Sequence, residues 1–274
     1  MHPVLFRLGR FELNSYGVML ALSFLLGIYW AAHRAKRRGL ERNHVMDLSL
    51  FIVVSAIIGS RLMYVVTHLE EFRGHWMDTF NPFQSSGKIG IAGTTMLGGV
   101  LLALITVILF CWIKKVSFLK IADVMAPSFA LGIFLTRIGC FLAGCCFGRA
   151  CNLPWGVEFP VGSIPFSVPE LQGAHIHPTQ LYSSLYGLVI MLILVVLDRR
   201  PRFNGFLLCV FFMLYGISRF SVDFVRYYET SQTFSFAGAT LTFNQGISLL
   251  MFLAGFGLFL YLRVRPASHN QLNQ

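Results

Sequence analysis

Residues 15–33 read SYGVMLALSFLLGIYWAAH, with no Lys, Arg, Asp or Glu, and Arg34-Ala-Lys-Arg-Arg38 follows directly. A helix of about 20 mostly apolar residues is long enough to cross the hydrocarbon core of a bilayer. The dense basic flank, which continues to Arg42, argues for a retained anchor whose amino end lies outside, rather than a cleaved signal peptide. Working outward, comparable apolar runs recur near 47–67, 91–113, 122–144, 179–197, 205–225 and 243–263. They are far longer than barrel strands, and a bilayer admits only helices or closed barrels. The expected fold is therefore all-α: a polytopic integral membrane protein of about seven transmembrane helices. Residues 1–274 are expected to form one transmembrane domain, with a long outer loop at about 148–178.

Composition agrees. Of 274 residues, 55% are hydrophobic and 12% charged, and mean hydropathy is +0.66. Soluble domains carry about 25% charged residues. The +10 net charge would suggest nucleic acid in a soluble chain, but here its placement tracks topology. Loops placed inside hold Arg34, Lys36, Arg37, Arg38, Arg42, Lys114, Lys115, Lys120, Arg199, Arg200, Arg202, Arg263 and Arg265. Segments placed outside hold only Arg7, Arg10, Arg73, Lys88, Arg149 and Arg226. The amino terminus is thus expected out and the carboxyl terminus in. No nucleic-acid partner is expected.

Arg61, Arg137 and Arg219 fall within spans. An arginine at membrane depth costs at least a few kcal/mol on insertion scales and is a functional candidate by default. Under this topology all three sit in the outer half of the membrane. Snorkelling or a structural ion pair is the alternative to a shared anion site. Tyr215, Arg219 and Asp223 lie four apart, on one helix face, with Arg226 three further on. Asp223 either pairs with Arg219 to stabilise the helix, or holds the guanidinium towards a ligand, or does both.

Arg137-Ile-Gly-Cys-Phe-Leu-Ala-Gly-Cys-Cys-Phe-Gly-Arg149 is the densest segment. Arginine forks bracket it and suit phosphate. Of its cysteines, Cys140, Cys145 and Cys146, with Cys151 beyond, a zinc site would need a CxxC-like spacing or a histidine that the segment lacks. A disulfide is open if the loop meets an oxidising compartment, and small buried apolar residues is the ordinary reading. No metal is expected. The loop continues as Leu153-Pro-Trp-Gly-Val-Glu-Phe-Pro160 and ends on His177-Pro-Thr-Gln-Leu-Tyr182, where Pro178 suits a first helical turn. His68, His75, His175 and His177 are the histidines near this site on the outer side, and such a residue is more often structural than chemical.

Taken together, these segments resemble the bacterial prolipoprotein diacylglyceryl transferase family over nearly the whole chain. Supporting pieces are Ser15-Tyr-Gly-Val-Met, Gly59-Ser-Arg61-Leu-Met-Tyr64, Asp123 with Ala126-Pro127, and the Tyr215–Arg226 pattern. The resemblance implies a seven-helix protein of the bacterial cytoplasmic (inner) membrane with its amino end out. It implies transfer of diacylglyceryl from phosphatidylglycerol to the lipobox cysteine thiol of a preprolipoprotein, whose signal peptide is the protein partner. A thioether forms and glycerol phosphate leaves, with no metal or organic cofactor. Arg137 and Arg219 would bind the lipid phosphate, with Tyr16, Tyr215 and Gly98-Gly99 completing the site. Arg61, Arg149 and Asp223 are further substrate-binding candidates, and Tyr16 and His177 join the two arginines as catalytic candidates.

Three departures stand out. Many members carry a histidine before the Gly-Gly of the third span, often proposed as the base, where this chain has Leu97. An Asn and a Glu of the family stand as Cys140 and Cys145, and a Glu on the sixth span is Asp223. The base is left open among His177, Tyr16, Asp223 and the arginine field itself. The same departures motivate an alternative: a divergent, non-catalytic or retargeted paralogue that binds anionic phospholipid.

Overall fold

The computed structural model describes residues 2–8, 11–72, 95–200, 202–228, 233–236 and 239–264. Arg10, Arg73, His75, Lys88 and Arg265, with the start of the third apolar run, lie outside these. Seven long helices follow the apolar runs: α1 (Ser15–Ala35), α2 (Arg42–Thr67), α3 (Met96–Lys114), α4 (Phe118–Ala143), α5 (Thr179–Leu197), α6 (Phe206–Asp223) and α7 (Phe243–Val264). All seven are long and apolar enough to cross a membrane. Many of their large apolar side chains face outward, as on α3 with Val100, Leu104, Ile108 and Trp112. Lipid, not water, is the solvent for such a surface. The chain is a multi-pass membrane protein.

α2 and α4 begin several residues before their hydropathy signals, since polar ends such as Arg42-Asn-His still close helical hydrogen bonds in the interface. Two short antiparallel hairpins accompany the helices: β1 (Val4–Leu8) with β2 (Phe11–Asn14), and β3 (Thr233–Phe236) with β4 (Ala239–Thr242). β1–β2 carries an exposed Arg7–Glu12 ion pair at 3.1 Å, and leads straight into α1.

The chain divides into two compact units. One holds residues 1–31 and 122–274; the other holds 32–121. In the first, α5, α6 and α4 share a core of Ala126, Ala130, Ile190, Leu194, Phe206 and Phe211. α6 and α7 cross at Gly216 and Gly255: a Cβ on Gly216 would stand 2.7 Å from the Ser248 carbonyl, and one on Gly255 2.8 Å from Phe212 Cβ. Small residues permit this approach, because apolar lipid provides no hydrophobic drive between helices and dispersion must do so. Asp123, fully buried on α4, accepts the backbone N–H groups of Gly205 (2.8 Å) and Leu208 (3.0 Å). It caps the amino end of α6 from a different helix, offsetting the otherwise unsatisfied donors there. In the second unit α2 lies against α3 with Gly59 and Gly98 in mutual contact.

Candidate functional site

Arg137 and Arg219 come together. Both line a narrow cleft walled by α4, α5 and α6, which also receives Tyr186, Tyr215, Ser183 and Ser218. Two permanent cations and four hydroxyl groups on apolar walls form a pocket with the polarity of an anion bound to a greasy tail. α5 can close on α4 here because a Cβ on Gly187 would stand 2.7 Å from the Phe134 nitrogen. Ser184 adds a hydrogen bond to the Phe134 carbonyl at 2.9 Å.

Arg219 is held by a network that sequence spacing revealed only in part. Its Nη1 pairs with Asp223 Oδ1 at 3.0 Å, as the four-residue spacing predicts, and the carboxylate is fully buried. Arg219 Nη2 also donates to the Tyr228 hydroxyl at 2.9 Å. Tyr228 donates onward to Asp223 Oδ1 at 2.9 Å and accepts from Asn244 Nδ2 at 3.1 Å. Thr242 Oγ1 donates to Asp223 Oδ2 at 2.8 Å. The same Thr242 is the amino cap of α7: Gln245 N–H donates to its Oγ1 (3.1 Å), and its own N–H donates to Gln245 Oε1 (2.9 Å). This reciprocal capping box ties the start of α7 to the end of α6. Burial, with the network around it, pushes the Tyr228 hydroxyl above its ordinary range, so it stays a donor to Asp223. Thr242-Phe-Asn-Gln245 is a legible capping signature, but its partner Asp223 is not legible from it.

After α4 the backbone turns sharply, with Gly144 and Cys146 at φ of 74° and 61°. The turn is clamped from α5: Gln180 Nε2 donates to the Cys145 carbonyl at 2.7 Å, and Thr179 Oγ1 to the Cys146 carbonyl at 2.8 Å. The loop then lies along residues 175–177 and 225–227: Gly148 N–H donates to His177 O, and Arg149 N–H to Val225 O. Phe147, Phe159, Leu171 and Ile176 form a small core beneath it. The Arg137…Arg149 segment, the Leu-Pro-Trp-Gly loop and the His-Pro-Thr-Gln-Leu-Tyr segment are thus one folded object.

A family model described as prolipoprotein diacylglyceryl transferase matches residues 3–261. The chain belongs to the prolipoprotein diacylglyceryl transferase family. It is similar to the protein named phosphatidylglycerol–prolipoprotein diacylglyceryl transferase in Clostridium tetani, at 31% identity over 94% of this chain and 97% of that one. Proteins of the same name in Campylobacter hominis (30% identity; 99% and 95%) and Geobacter sulfurreducens (33%; 92% and 92%) are also similar.

In this member of the transferase family the remaining expected site residues do not line that cleft, although Tyr16 stands close enough to Arg137 to feel its charge. Tyr16 is 39% exposed on the first turn of α1; a Cβ on Gly139 would stand 3.3 Å from its Cα. His177 is half-buried, with Nδ1 at 3.3 Å from the Tyr182 hydroxyl, and Trp155 Nε1 donates to that hydroxyl at 2.8 Å. Since the indole can only donate, the Tyr182 proton is free to go to His177. Burial lowers the His177 pKa, so its ring is neutral at neutral pH. Arg149 is exposed on the loop. None of these three lines the cleft.

Arg61, Gly98 and Gly99 belong to the second unit. Arg61 is 2% exposed and stacks its guanidinium 5.7 Å from the centre of the Tyr64 ring. Gly98 has an evident packing role against Gly59, and Gly99 sits where a Cβ would stand 3.0 Å from the Ala56 carbonyl. Leu97, at the position of the family's histidine, is 60% exposed.

Proposed function

We propose that this chain transfers the diacylglyceryl group of phosphatidylglycerol to the lipobox cysteine thiol of a preprolipoprotein, forming a thioether and releasing glycerol phosphate. The observation that carries the reading is the pairing of Arg137 and Arg219 in one apolar-walled cleft. The lipid phosphate lies between the guanidiniums with its acyl chains in the bilayer. The substrate thiolate attacks the glyceryl carbon that bears the phosphate oxygen. A C–S bond forms, the C–O bond breaks, and the electron pair leaves on glycerol phosphate. Fixed cations stabilise that departing charge, so the leaving group needs no proton.

The thiol must first lose its proton. Asp223 is fully engaged by Arg219, Tyr228 and Thr242. His177 Nδ1 stands 3.3 Å from the Tyr182 hydroxyl, and in the tautomer that accepts this proton its lone pair is engaged. Leu97 cannot accept a proton. The arginine field therefore favours the thiolate, whose proton passes to water; Tyr16, a neutral phenol, can relay that proton but not keep it. Arg61 and Arg149 support the lipid and signal peptide from outside the cleft. The chain acts as one transmembrane domain of the cytoplasmic membrane, with its amino end and the 148–178 loop outside.

The test is direct. Purified protein, given phosphatidylglycerol and a lipobox peptide, should yield a thioether-linked product by mass spectrometry. Arg137→Ala and Arg219→Ala should each lower the rate by about 10²-fold or more. Full activity in both variants would overturn the assigned site. Lipid binding with no product in the parent protein would instead mark a non-catalytic paralogue.

A further inference from the structure

Three thiols converge beside the cleft without being needed by the reaction above. Cys140 lies on the last turn of α4, and Cys145 and Cys146 on the turn that follows; their sulfur atoms all lie within 4.8 Å of one another, and all three are free thiols. The sequence spacing, C-x₄-C-C, matches no zinc motif. The convergence comes from the backbone reversal at Gly144 and the left-handed Cys146, and it is held by Gln180 and Thr179.

We propose that Cys140, Cys145 and Cys146 form a three-thiolate site for a thiophilic d¹⁰ cation, zinc(II) or copper(I). A metal–sulfur distance of about 2.3 Å sets the sulfur–sulfur separations at about 3.8–4.0 Å in tetrahedral or trigonal geometry. The thiols are therefore within a side-chain adjustment of coordination. All donors are soft sulfur, which selects these ions over magnesium or calcium. Charge also balances. Three thiolates leave the zinc complex at −1 and the copper(I) complex at −2. Arg137 lies within side-chain hydrogen-bonding reach of Cys146, and Arg226 lies nearby, so two guanidiniums offset that charge.

A second observation points the same way. Gln180 is fully buried, and while its Nε2 holds the Cys145 carbonyl, its Oε1 is buried with no hydrogen-bond partner among the described residues. Such an orphan acceptor is uncommon and calls for an explanation. Three protein ligands leave a fourth zinc position for water, and a metal-bound water donating to Gln180 Oε1 would satisfy it. Metal binding would brace the end of α4 that carries Arg137.

The test uses the full chain, purified in detergent, fully reduced and without oxygen, and needs no transferase activity. Its failure is thus distinguishable from failure of the proposed reaction. Titration with cobalt(II) should give thiolate charge-transfer and tetrahedral d–d bands that saturate at one equivalent and are displaced by zinc. Titration with copper(I) should give the luminescence of a trigonal thiolate site if copper is the better fit. Either ion should raise Tm and shield the three thiols from iodoacetamide. Cys140→Ser, Cys145→Ser and Cys146→Ser should each weaken binding at least tenfold, while Cys209→Ser leaves it unchanged. Absence of one-equivalent binding by either ion in the unmutated protein overturns the proposal. So does isolation of the chain, alkylated on lysis, with a disulfide between any two of the three.

Discussion

Asp223 shows how much one residue can be asked to hold. Its buried carboxylate serves Arg219, Tyr228 and Thr242 together. Removing one partner of a buried ion pair leaves the other charge uncompensated, at about 3–5 kcal/mol. Asp223→Ala should therefore unfold at markedly lower denaturant and lose lipid transfer. Tyr228→Phe is milder: it keeps the ion pair but leaves Arg219 Nη2 and Asn244 without their acceptor, a loss of about 1–3 kcal/mol. It should retain the fold and show a smaller fall in rate, which a stability and activity comparison of the two variants checks. The Arg219–Asp223 pair was legible because helix geometry is local. Tyr228 and Asn244 were not, because nothing in their own neighbourhood in the chain marks them as partners of Arg219.

His177 carries a pH dependence with a definite sign. Burial lowers its pKa below the ordinary 6.5, so the fold prefers the neutral ring. That preference contributes stability in full above pH 6.5, and the contribution is lost as pH falls through the lower folded value. Protonation also removes the acceptor for Tyr182, and with it the Trp155–Tyr182–His177 chain. In a variant whose sole tryptophan is Trp155, indole fluorescence should titrate below pH 6.5, and His177→Gln should abolish the transition. An unchanged titration in His177→Gln would assign it to another group.

Among the elements, α6 is positioned from both ends by residues outside it. Asp123 of α4 caps its start. Thr242, the cap of α7, grips Asp223 at its end. Thr242→Ala removes both an amino cap and a bond to a buried carboxylate. It should cost about 1–2 kcal/mol through the cap alone, plus the loss at Asp223, whereas Thr242→Ser keeps the hydroxyl and should be near neutral. Thermal unfolding of the two in one detergent separates them. Apolar run length located all seven helices, but it could not show that Gly216 meets α7 or that Gly98 meets Gly59. A glycine in a hydrophobic run reads the same whether it faces lipid or a neighbouring backbone.

At the scale of the whole molecule, the net charge divides by position. The inside bias of Lys and Arg predicts that a reporter fused after Gln274 is active only in the cytoplasm, and one fused before Met1 only outside. The reverse pattern would overturn the orientation. The seven spans and the membrane class were legible in the sequence, since hydropathy is a property of short contiguous stretches that partition into lipid or water segment by segment. The candidacy of Arg137 and Arg219 was legible too, because the cost of burying a cation in lipid depends on the span around it. Only the tertiary structure decided that these two arginines share one cleft, that Thr242 completes the support of Arg219, and that three cysteines with no recognisable spacing gather their sulfurs. Each depends on contacts between segments far apart in the chain or on a backbone turn, and neither leaves a periodic mark in a linear sequence.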